Sequence, residues 1–485
     1  MLLRNTIYNL IGLGAPLLVA VVSIPALISA LGTDRFGLLT LIWAVVSYFG
    51  VFDFGLGRAL TQQLAIILAG DEHERICPLV ATATLLMSTL GLGAGALMYA
   101  MAPSAIGLIK SVPDKQEAIQ SLYAMACAMP AIILTSGFRG VLEARQAFGV
   151  INLIRLPMGL FTFLGPLAVV TYGSSQLDSI AWVLTAGRLL ACAIHAWYAW
   201  KVLPPRAGTL TVQPNLLKSL LISGGWLTVS NVVSPLMGYV DRFVIGSLVS
   251  ASAVAFYATP NELVTKLWIV PGALTAVLFP TFAAQMAGGH DNAMRTLKQA
   301  VLWVFITLLP ITVGLALFAH EILSLWIGST FADHSALLLQ IFSIGILANC
   351  TATIPFTLLQ SAGRSKITAL IHCLELPFFL VTLWFFTSRY GVTGAAFAWL
   401  LRIAFDTFSM FFFSNRILGH RWQDIASPHV LGALAAACVG FLGSLLPRFE
   451  MRVIWLAILI VLLLFFSRTQ IQQVAARMKM KRRAS

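Results

Sequence analysis

The sequence has few charged residues. Only 10% of its 485 residues are Asp, Glu, Lys or Arg, whereas 59% are hydrophobic. Soluble domains carry roughly 25% charged residues, so this composition excludes a large soluble enzyme. The sequence also contains neither GxxxxGK[ST], whose backbone would cradle a phosphate, nor HExxH, which would bind zinc. We therefore expect a protein that is not an enzyme.

Paired cysteines are missing as well. The six cysteines show no CxxC or other paired spacing, which indicates neither a metal site nor a disulfide framework. Connections between the apolar runs are mostly shorter than about 20 residues, so none is large enough for a catalytic or nucleotide-binding domain. No metal site and no bound cofactor are expected.

Long apolar runs are abundant, and they determine the fold class. Each run of 18 or more residues is long enough to cross a bilayer as a helix, and the runs lack the alternation of a membrane β-barrel. We predict an all-α polytopic membrane protein with about 14 transmembrane helices. The predicted spans are 7–30, 37–60, 79–101, 118–141, 151–172, 178–200, 217–249, 253–283, 299–319, 335–360, 366–388, 391–414, 429–447 and 452–468.

The basic residues indicate the orientation. With a cytoplasmic N-terminus, the inner connections and the tail MKMKRR hold most of the Lys and Arg outside the spans. The outer connections hold only Arg35, Lys110, Lys115, Arg389, Arg448 and Arg452. Because cytoplasmic loops are enriched in Lys and Arg, both termini are predicted to be cytoplasmic. Much of the net charge of +13 is then an orientation signal, which argues against nucleic-acid binding and favours contact of the tail with lipid headgroups.

An internal repeat divides the chain into halves. TYG at 171–173 matches RYG at 389–391, and AWVL at 181–184 matches AWLL at 398–401. The repeat predicts two six-helix lobes of like orientation. Transporters built from such repeats bind their substrate between the two halves, so a substrate site is expected there. The predicted divisions are an N-terminal lobe 1–205, a cytoplasmic linker 206–216, a C-terminal lobe 217–416, two additional helices 417–470 and a basic tail 471–485.

Ionisable residues inside the spans are the candidates for function. Such residues are rare and usually face a cavity or the bundle interior; the alternative for each is a structural ion pair or a side chain that snorkels to the interface. Asp53 and Arg58 are five residues apart, about 140° around a helix, so they need other partners. Arg188 has no acid near it in sequence, and a cavity role and a packing role are equally compatible with it. His195 is expected to be satisfied within the packing.

The segment PLMGYVDRFVIGS holds Asp241 and Arg242 next to each other. Neighbouring helical residues point about 100° apart, so the two cannot share one partner direction. Glu262 and Lys266 follow at i,i+4 spacing, which places them on one helix face. The first half has no matching charges, and such an asymmetry favours a cavity with unequal walls.

Two other pairs and one glycine motif are interpreted as structural. Arg139 with Glu143, and Arg402 with Asp406, have the i,i+4 spacing of ion pairs within a helix. GLGAG at 91–95 lies inside a span and is interpreted as a helix-packing motif.

The chain resembles a known family. Two six-helix halves with two extra helices, together with DFGLGR at 53–58, PLMGYVDRFVIGS at 235–247 and ATPNELVTK at 258–266, resemble the polysaccharide transporters of the multidrug/oligosaccharidyl-lipid/polysaccharide (MOP) superfamily, in particular the O-antigen flippases of the Wzx type. The resemblance implies a MATE-like fold. It also implies translocation of undecaprenyl-pyrophosphate-linked oligosaccharide across the bacterial inner membrane for O-antigen, lipopolysaccharide or other surface polysaccharide assembly.

The resemblance also implies roles for the charged residues. A cationic cavity would hold the pyrophosphate through Arg58, Arg188, Arg242 and Lys266. The acids Asp53, Asp241 and Glu262 would bind a coupling proton or sodium ion or balance these cations. Expected partners are membrane lipids, the polysaccharide polymerase and the chain-length machinery. The alternatives are a cation-coupled multidrug exporter and a membrane polysaccharide polymerase or ligase.

Overall fold

The computed structural model describes residues 2–49, 55–70, 72–203, 208–288, 290–419 and 428–465. These ranges consist of helices and short connections and contain no β-strand. The all-α prediction is confirmed, because a helix satisfies all backbone polar groups within one apolar segment. The candidate Asp53 and the predicted basic tail lie outside the described residues.

The helices follow one another along the whole described chain. Their bounds are α1 Leu2–Phe49, α2 Leu56–Ala69, α3 Ile76–Leu108, α4 Lys115–Ala144, α5 Phe148–Thr171, α6 Leu177–Lys201, α7 Pro214–Leu248, α8 Ala251–Thr265, α9 Ile269–Gly288, α10 His290–Leu317, α11 Ala319–Trp326, α12 Ser329–Ser361, α13 Ser365–Ile417, α14 Pro428–Leu442 and α15 at 449–465. Among these residues, eight helices are long and apolar enough to cross a membrane, or nine if one bent pair counts as a span. This number is consistent with about 14 predicted spans, because some long helices contain two of them.

Two of the longest helices are each interrupted by a glycine. Gly32 in α1 has φ 75°, and Gly391 in α13 has φ 59°. A positive φ places Cβ of other residues against the backbone, so glycine is the residue that adopts it readily. The breaks fall between the predicted spans 7–30 and 37–60, and at the start of the predicted span 391–414.

Prolines distort the region predicted as the single span 253–283. Proline lacks an N–H, and its ring clashes with the carbonyl group four residues earlier. The carbonyl group four residues before Pro271 is that of Leu267, which lies in a short 3₁₀ turn, Lys266–Trp268, between α8 and α9. The carbonyl group four residues before Pro280 is that of position 276, where the segments Ala251–Thr275 and Val277–Met286 meet at an angle of 46°. The predicted span is therefore bent.

The chain divides into two compact units. Unit 1 comprises Met1–Ala258 and Thr387–Val392, and unit 2 comprises Thr259–Phe386 and Thr393–Ser485. The six-helix lobes 1–205 and 217–416 stay a prediction.

Unit 1 is built around closely packed α3, α4 and α6. Two glycines of the GLGAG motif face α4: a Cβ on Gly95 would lie 2.7 Å from the carbonyl oxygen of Ala126, and one on Gly91 would lie 2.5 Å from Cα of Pro130. Small residues permit such close backbone approach between membrane helices. The packing role predicted for GLGAG is confirmed.

Unit 2 packs α9, α10, α11 and α12 together and includes the C-terminal helix α15. Arg452 of α15 donates a hydrogen bond from Nη1 to the carbonyl oxygen of Leu317, 2.7 Å away, at the end of α10. Its Nη2 also lies 2.6 Å from Oε1 of Glu321 in α11. One arginine thus attaches the C-terminal helix to the rest of this unit.

Candidate functional site

Charged side chains lie buried in both units. We call Tyr239, Asp241, Arg242 and Tyr257 of unit 1 the Asp241 group. His372, Glu375, Arg402 and Asp406 of unit 2 form the Glu375 cluster. Because charge inside apolar helices is costly unless it is paired, the partners in each group show what its charges can do.

Both oxygens of the Asp241 carboxylate accept hydrogen bonds. The Tyr257 hydroxyl in the first part of α8 donates to Oδ2 at 2.7 Å, and the backbone N–H of Arg242 donates to Oδ1 at 2.8 Å. Asp241 is only 2% exposed, so these protein groups replace the water that the carboxylate would otherwise bind. The first hydrogen bond holds α7 against α8.

Arg242 points to a different neighbour. Its guanidinium carbon lies 5.2 Å from the ring centroid of Tyr239, one turn earlier on α7. Arg242 is 4% exposed, so the cation is enclosed by protein and stabilised in part by the ring face. The two neighbouring side chains thus contact different tyrosines, Tyr257 for Asp241 and Tyr239 for Arg242, in agreement with their angular separation on the helix. A guanidinium carries several planar donors, a geometry that suits a phosphate.

Glu262 and Lys266 form the pair that their spacing predicts. Lys266 Nζ donates to Glu262 Oε2 at 2.9 Å, and both side chains are about two-fifths exposed, at 42% and 39%. The 3₁₀ turn that starts at Lys266 also presents Trp268, whose Nε1 donates to Oδ1 of Asn349 at 2.7 Å. The break in the helix thus places an indole ring and two charges in one short segment of unit 2.

The two remaining candidate arginines lie on other helices of unit 1. Arg58 is exposed in the first turn of α2, which starts after Gly55 at φ 69°. Arg188 is half-buried on α6, and none of the ion pairs among the described residues includes it. His195, on the same helix, is buried and its Nδ1 lies 2.8 Å from the Ala191 carbonyl oxygen, so the expectation that packing satisfies it is confirmed.

The Glu375 cluster joins the two segments of α13 on either side of Gly391. Arg402 Nε lies 3.5 Å from Oε1 of Glu375, and His372 Nε2 lies 3.7 Å from Oδ1 of Asp406. The sequence spacing predicted a pair of Arg402 with Asp406 within one helix. That ion pair is not found among the described residues: Arg402 pairs with Glu375 and Asp406 pairs with His372, both from the preceding segment of α13. The prediction was wrong because acidic and basic groups of the neighbouring segment pack closer to Arg402 and Asp406 than these two residues do to each other.

Glu375 and His372 were not among the predicted site residues. The sequence feature that could have identified them is a single acid in an apolar run, with a histidine three residues earlier on the same helix face. The cluster is incompletely satisfied: Glu375 Oε2, Arg402 Nε and Asp406 Oδ1 are buried and have no hydrogen-bond partner among the described residues. Glu375 is 1% exposed. Buried polar atoms usually have partners, so three in one place mark an unusual site.

Unit 1 also contains an apolar cavity of about 430 Å³. Its walls come chiefly from α1, α3 and α7, with Leu41, Met101 and Phe243 as representative lining residues. An apolar space of this kind suits a hydrocarbon chain, since burial of apolar surface is its main source of affinity.

Comparisons with known proteins agree with this architecture. The family model described as "Polysaccharide biosynthesis protein" matches residues 2–286, and the MatE model matches residues 227–385. A Shigella flexneri protein described as a candidate O-antigen transporter is 30% identical over 406 residues, which cover 84% of this chain and 96% of the relative. The Bacillus subtilis membrane protein EpsK is 23% identical over 85% of this chain and 83% of its own length.

Solved structures show the same fold. A multidrug resistance MATE family transporter of the MOP superfamily aligns with a TM-score of 0.73 at 13% identity, over 85% of this chain and 94% of its own. The lipid II flippase MurJ aligns with a TM-score of 0.64 at 15% identity, over 92% of this chain and 99% of its own. The MATE-like fold is confirmed. The Shigella relative is described as a transporter and MurJ as a flippase, which agrees with the expectation that the chain is not an enzyme.

Proposed function

The chain belongs to the polysaccharide biosynthesis protein family of the MOP superfamily, and from this premise we propose that it flips undecaprenyl-pyrophosphate-linked oligosaccharide units. The units would move from the inner to the outer leaflet of the bacterial cytoplasmic membrane, for assembly of O-antigen or another surface polysaccharide. The observation that carries the proposal is the match to a candidate O-antigen transporter along 84% of the chain.

The charges of the described residues suit a pyrophosphate headgroup. Arg242 is an enclosed cation beside an aromatic ring, and Arg188 is a half-buried cation on α6. Charge-assisted hydrogen bonds to phosphate are strong where water is excluded. Trp268, which is 48% exposed, offers an apolar ring face to a sugar. The cavity lined by Leu41 and Met101 offers an apolar wall to a lipid chain.

Transport would proceed by alternating access, with a proton or sodium ion as the coupling ion. This mechanism follows from the general behaviour of transporters built from repeats. Both termini would lie in the cytoplasm, given the excess of Lys and Arg in the inner connections. The product would then pass to a polysaccharide polymerase and its chain-length machinery on the outer face.

A cation-coupled multidrug exporter is the second candidate, because the MatE model matches residues 227–385. Such an exporter needs acids for cationic drugs. The candidate O-antigen transporter instead matches 84% of this chain at 30% identity, so the flippase is the better-supported function.

The test uses the purified full chain in proteoliposomes that contain a fluorescent undecaprenyl-pyrophosphate-linked oligosaccharide. We expect the wild-type chain to move this lipid to the other leaflet. Loss of one charge-assisted contact costs about 1.5–3 kcal/mol, so Arg242→Ala should slow flipping by roughly 10- to 100-fold. Arg364→Ala, at an exposed turn between α12 and α13, is the matched control and should retain the wild-type rate.

The two parts of the proposal fail in different ways. A wild-type chain that leaves the lipid in place but exports a cationic drug would replace the flippase with the second candidate. Wild-type rates for Arg242→Ala, with unchanged insertion, would remove Arg242 from the substrate site and leave the function intact.

A further inference from the structure

The Glu375 cluster contains a buried acid that lacks a full set of partners. The Glu375 side chain is 2% exposed, and its Oε2 has no hydrogen-bond partner among the described residues. The nearest basic atom to its other oxygen is Arg402 Nε at 3.5 Å, which is longer than a normal hydrogen bond. A deprotonated carboxylate in this position would leave strong acceptor sites unfilled.

The cluster also has an unbalanced charge. Glu375 and Asp406 carry two negative charges when ionised, Arg402 carries one positive charge, and His372 is the remaining titratable member. Within the cluster, Arg402 faces Glu375 and His372 faces Asp406, and the ligand atoms of His372 and the two acids all lie within 4.8 Å of one another. The neighbouring helix α12 contributes Phe356, which stacks on His372 with ring centroids 6.1 Å apart. With a neutral histidine the cluster therefore lacks one positive charge.

A hard metal cation such as Ca²⁺ or Mg²⁺ is a poor match for that missing charge. His372, Glu375 and Asp406 offer one ligand atom each, all within 4.8 Å of one another. Hard cations prefer six or more oxygen ligands, and the Arg402 guanidinium already places a positive charge next to Glu375. A proton needs no coordination shell, and it converts an unfilled acceptor into a donor.

We propose that the Glu375 cluster is a proton-binding site, which takes up one proton as a unit. Hydronium transfers the proton to the cluster, so one O–H bond of hydronium breaks, one bond to a cluster atom forms and water is released. Because the members interact closely, the proton belongs to the cluster and not to one residue. That this proton drives flipping rests on the proposed function; the binding of the proton does not.

Infrared difference spectroscopy tests the site without a transport assay. The full chain in sodium-free lipid nanodiscs is compared at acid and alkaline ends of a range in which exposed carboxylates stay ionised, roughly pH 6 to 9. We expect the C=O band of a protonated carboxylic acid to appear at the acid end. Glu375→Gln should lose this band, and Glu143→Gln, a partly exposed acid paired with Arg139 in unit 1, should retain it.

Three results would overturn the proton site. The first is the absence of the band in the wild-type chain, and the second is its persistence in both Glu375→Gln and Asp406→Asn. The third is its disappearance when sodium replaces choline as the cation of the buffer, which would indicate a metal site. Asp406→Asn also takes the place of Glu375→Gln if the latter does not fold.

Flipping under an imposed pH gradient separates the two proposals. The gradient should accelerate flipping at least several-fold in the wild-type chain and in Glu143→Gln, and it should have no effect in Glu375→Gln. A wild-type chain that shows the band but does not flip the lipid would overturn the proposed function. A wild-type chain that flips the lipid without a response to the gradient would overturn the coupling role of the cluster.

Discussion

The hydrogen bond between Tyr257 and Asp241 should contribute measurably to the stability of unit 1. Tyr257 is 0% exposed and Asp241 is 2% exposed, so water cannot replace the hydroxyl when it is removed. The donor–acceptor distance of 2.7 Å is typical of a hydroxyl that donates to a carboxylate. Hydrogen bonds to charged groups contribute about 1.5–3 kcal/mol. We expect Tyr257→Phe to lower the free energy of unfolding by that amount.

A double-mutant cycle isolates this interaction. Tyr257→Phe, Asp241→Asn and the double variant are unfolded from detergent micelles by a denaturing detergent, and the free energies of unfolding are compared. We expect a coupling energy of at least about 1 kcal/mol. Tyr239→Phe keeps the ring beside Arg242 and is the control, with a change within about 0.5 kcal/mol. Additive single changes would refute the inference that this hydrogen bond holds α7 against α8.

Two further predictions concern packing. Gly95→Ala should destabilise the chain by about 1–3 kcal/mol through overpacking, because the added Cβ would lie 2.7 Å from a backbone oxygen of α4. The control is Gly93→Ala on the same helix, whose added Cβ meets nothing within 4 Å. In thermal unfolding this control should be neutral or slightly stabilising. Arg452→Ala should lower the midpoint of thermal unfolding because it removes the contact with Glu321. The exposed Arg448→Ala is its control, and equal midpoints for the two variants would contradict the role of Arg452 in attaching α15.

The positions of the helices were largely predictable from the sequence, because membrane thickness requires long apolar runs. Their ends were less predictable. The fourth predicted span, 118–141, lies inside the longer helix α4, Lys115–Ala144. Asp114 caps this helix by accepting hydrogen bonds from the backbone N–H groups of Gln116 and Glu117. Capping extends a helix into polar sequence, whereas hydropathy marks only the part that is apolar.

Spacing along one helix predicted some partners of the charged residues. Glu262 with Lys266, and Arg139 with Glu143, form the expected i,i+4 pairs. The partners of Asp241 and Arg402 could not be read from such spacing. Tyr257 reaches Asp241 from the next helix, and Glu375 reaches Arg402 from the other side of the break at Gly391. These contacts depend on how the helices pack against one another. The period of 3.6 residues describes the faces of a single helix and does not predict which helices are neighbours.

The two buried charged groups differ in a way that bears on their roles. Both oxygens of Asp241 accept hydrogen bonds from protein groups, and such bonds stabilise a charged carboxylate. Glu375 has an oxygen without a hydrogen-bond partner among the described residues. A proton bound there would neutralise a buried charge that lacks donors. Hydrogen bonds from protein donors favour the charged form of a carboxylate, whereas burial without such donors favours its neutral form. On this physical ground Asp241 suits the positioning of helices around Arg242, and Glu375 suits the reversible binding of a proton.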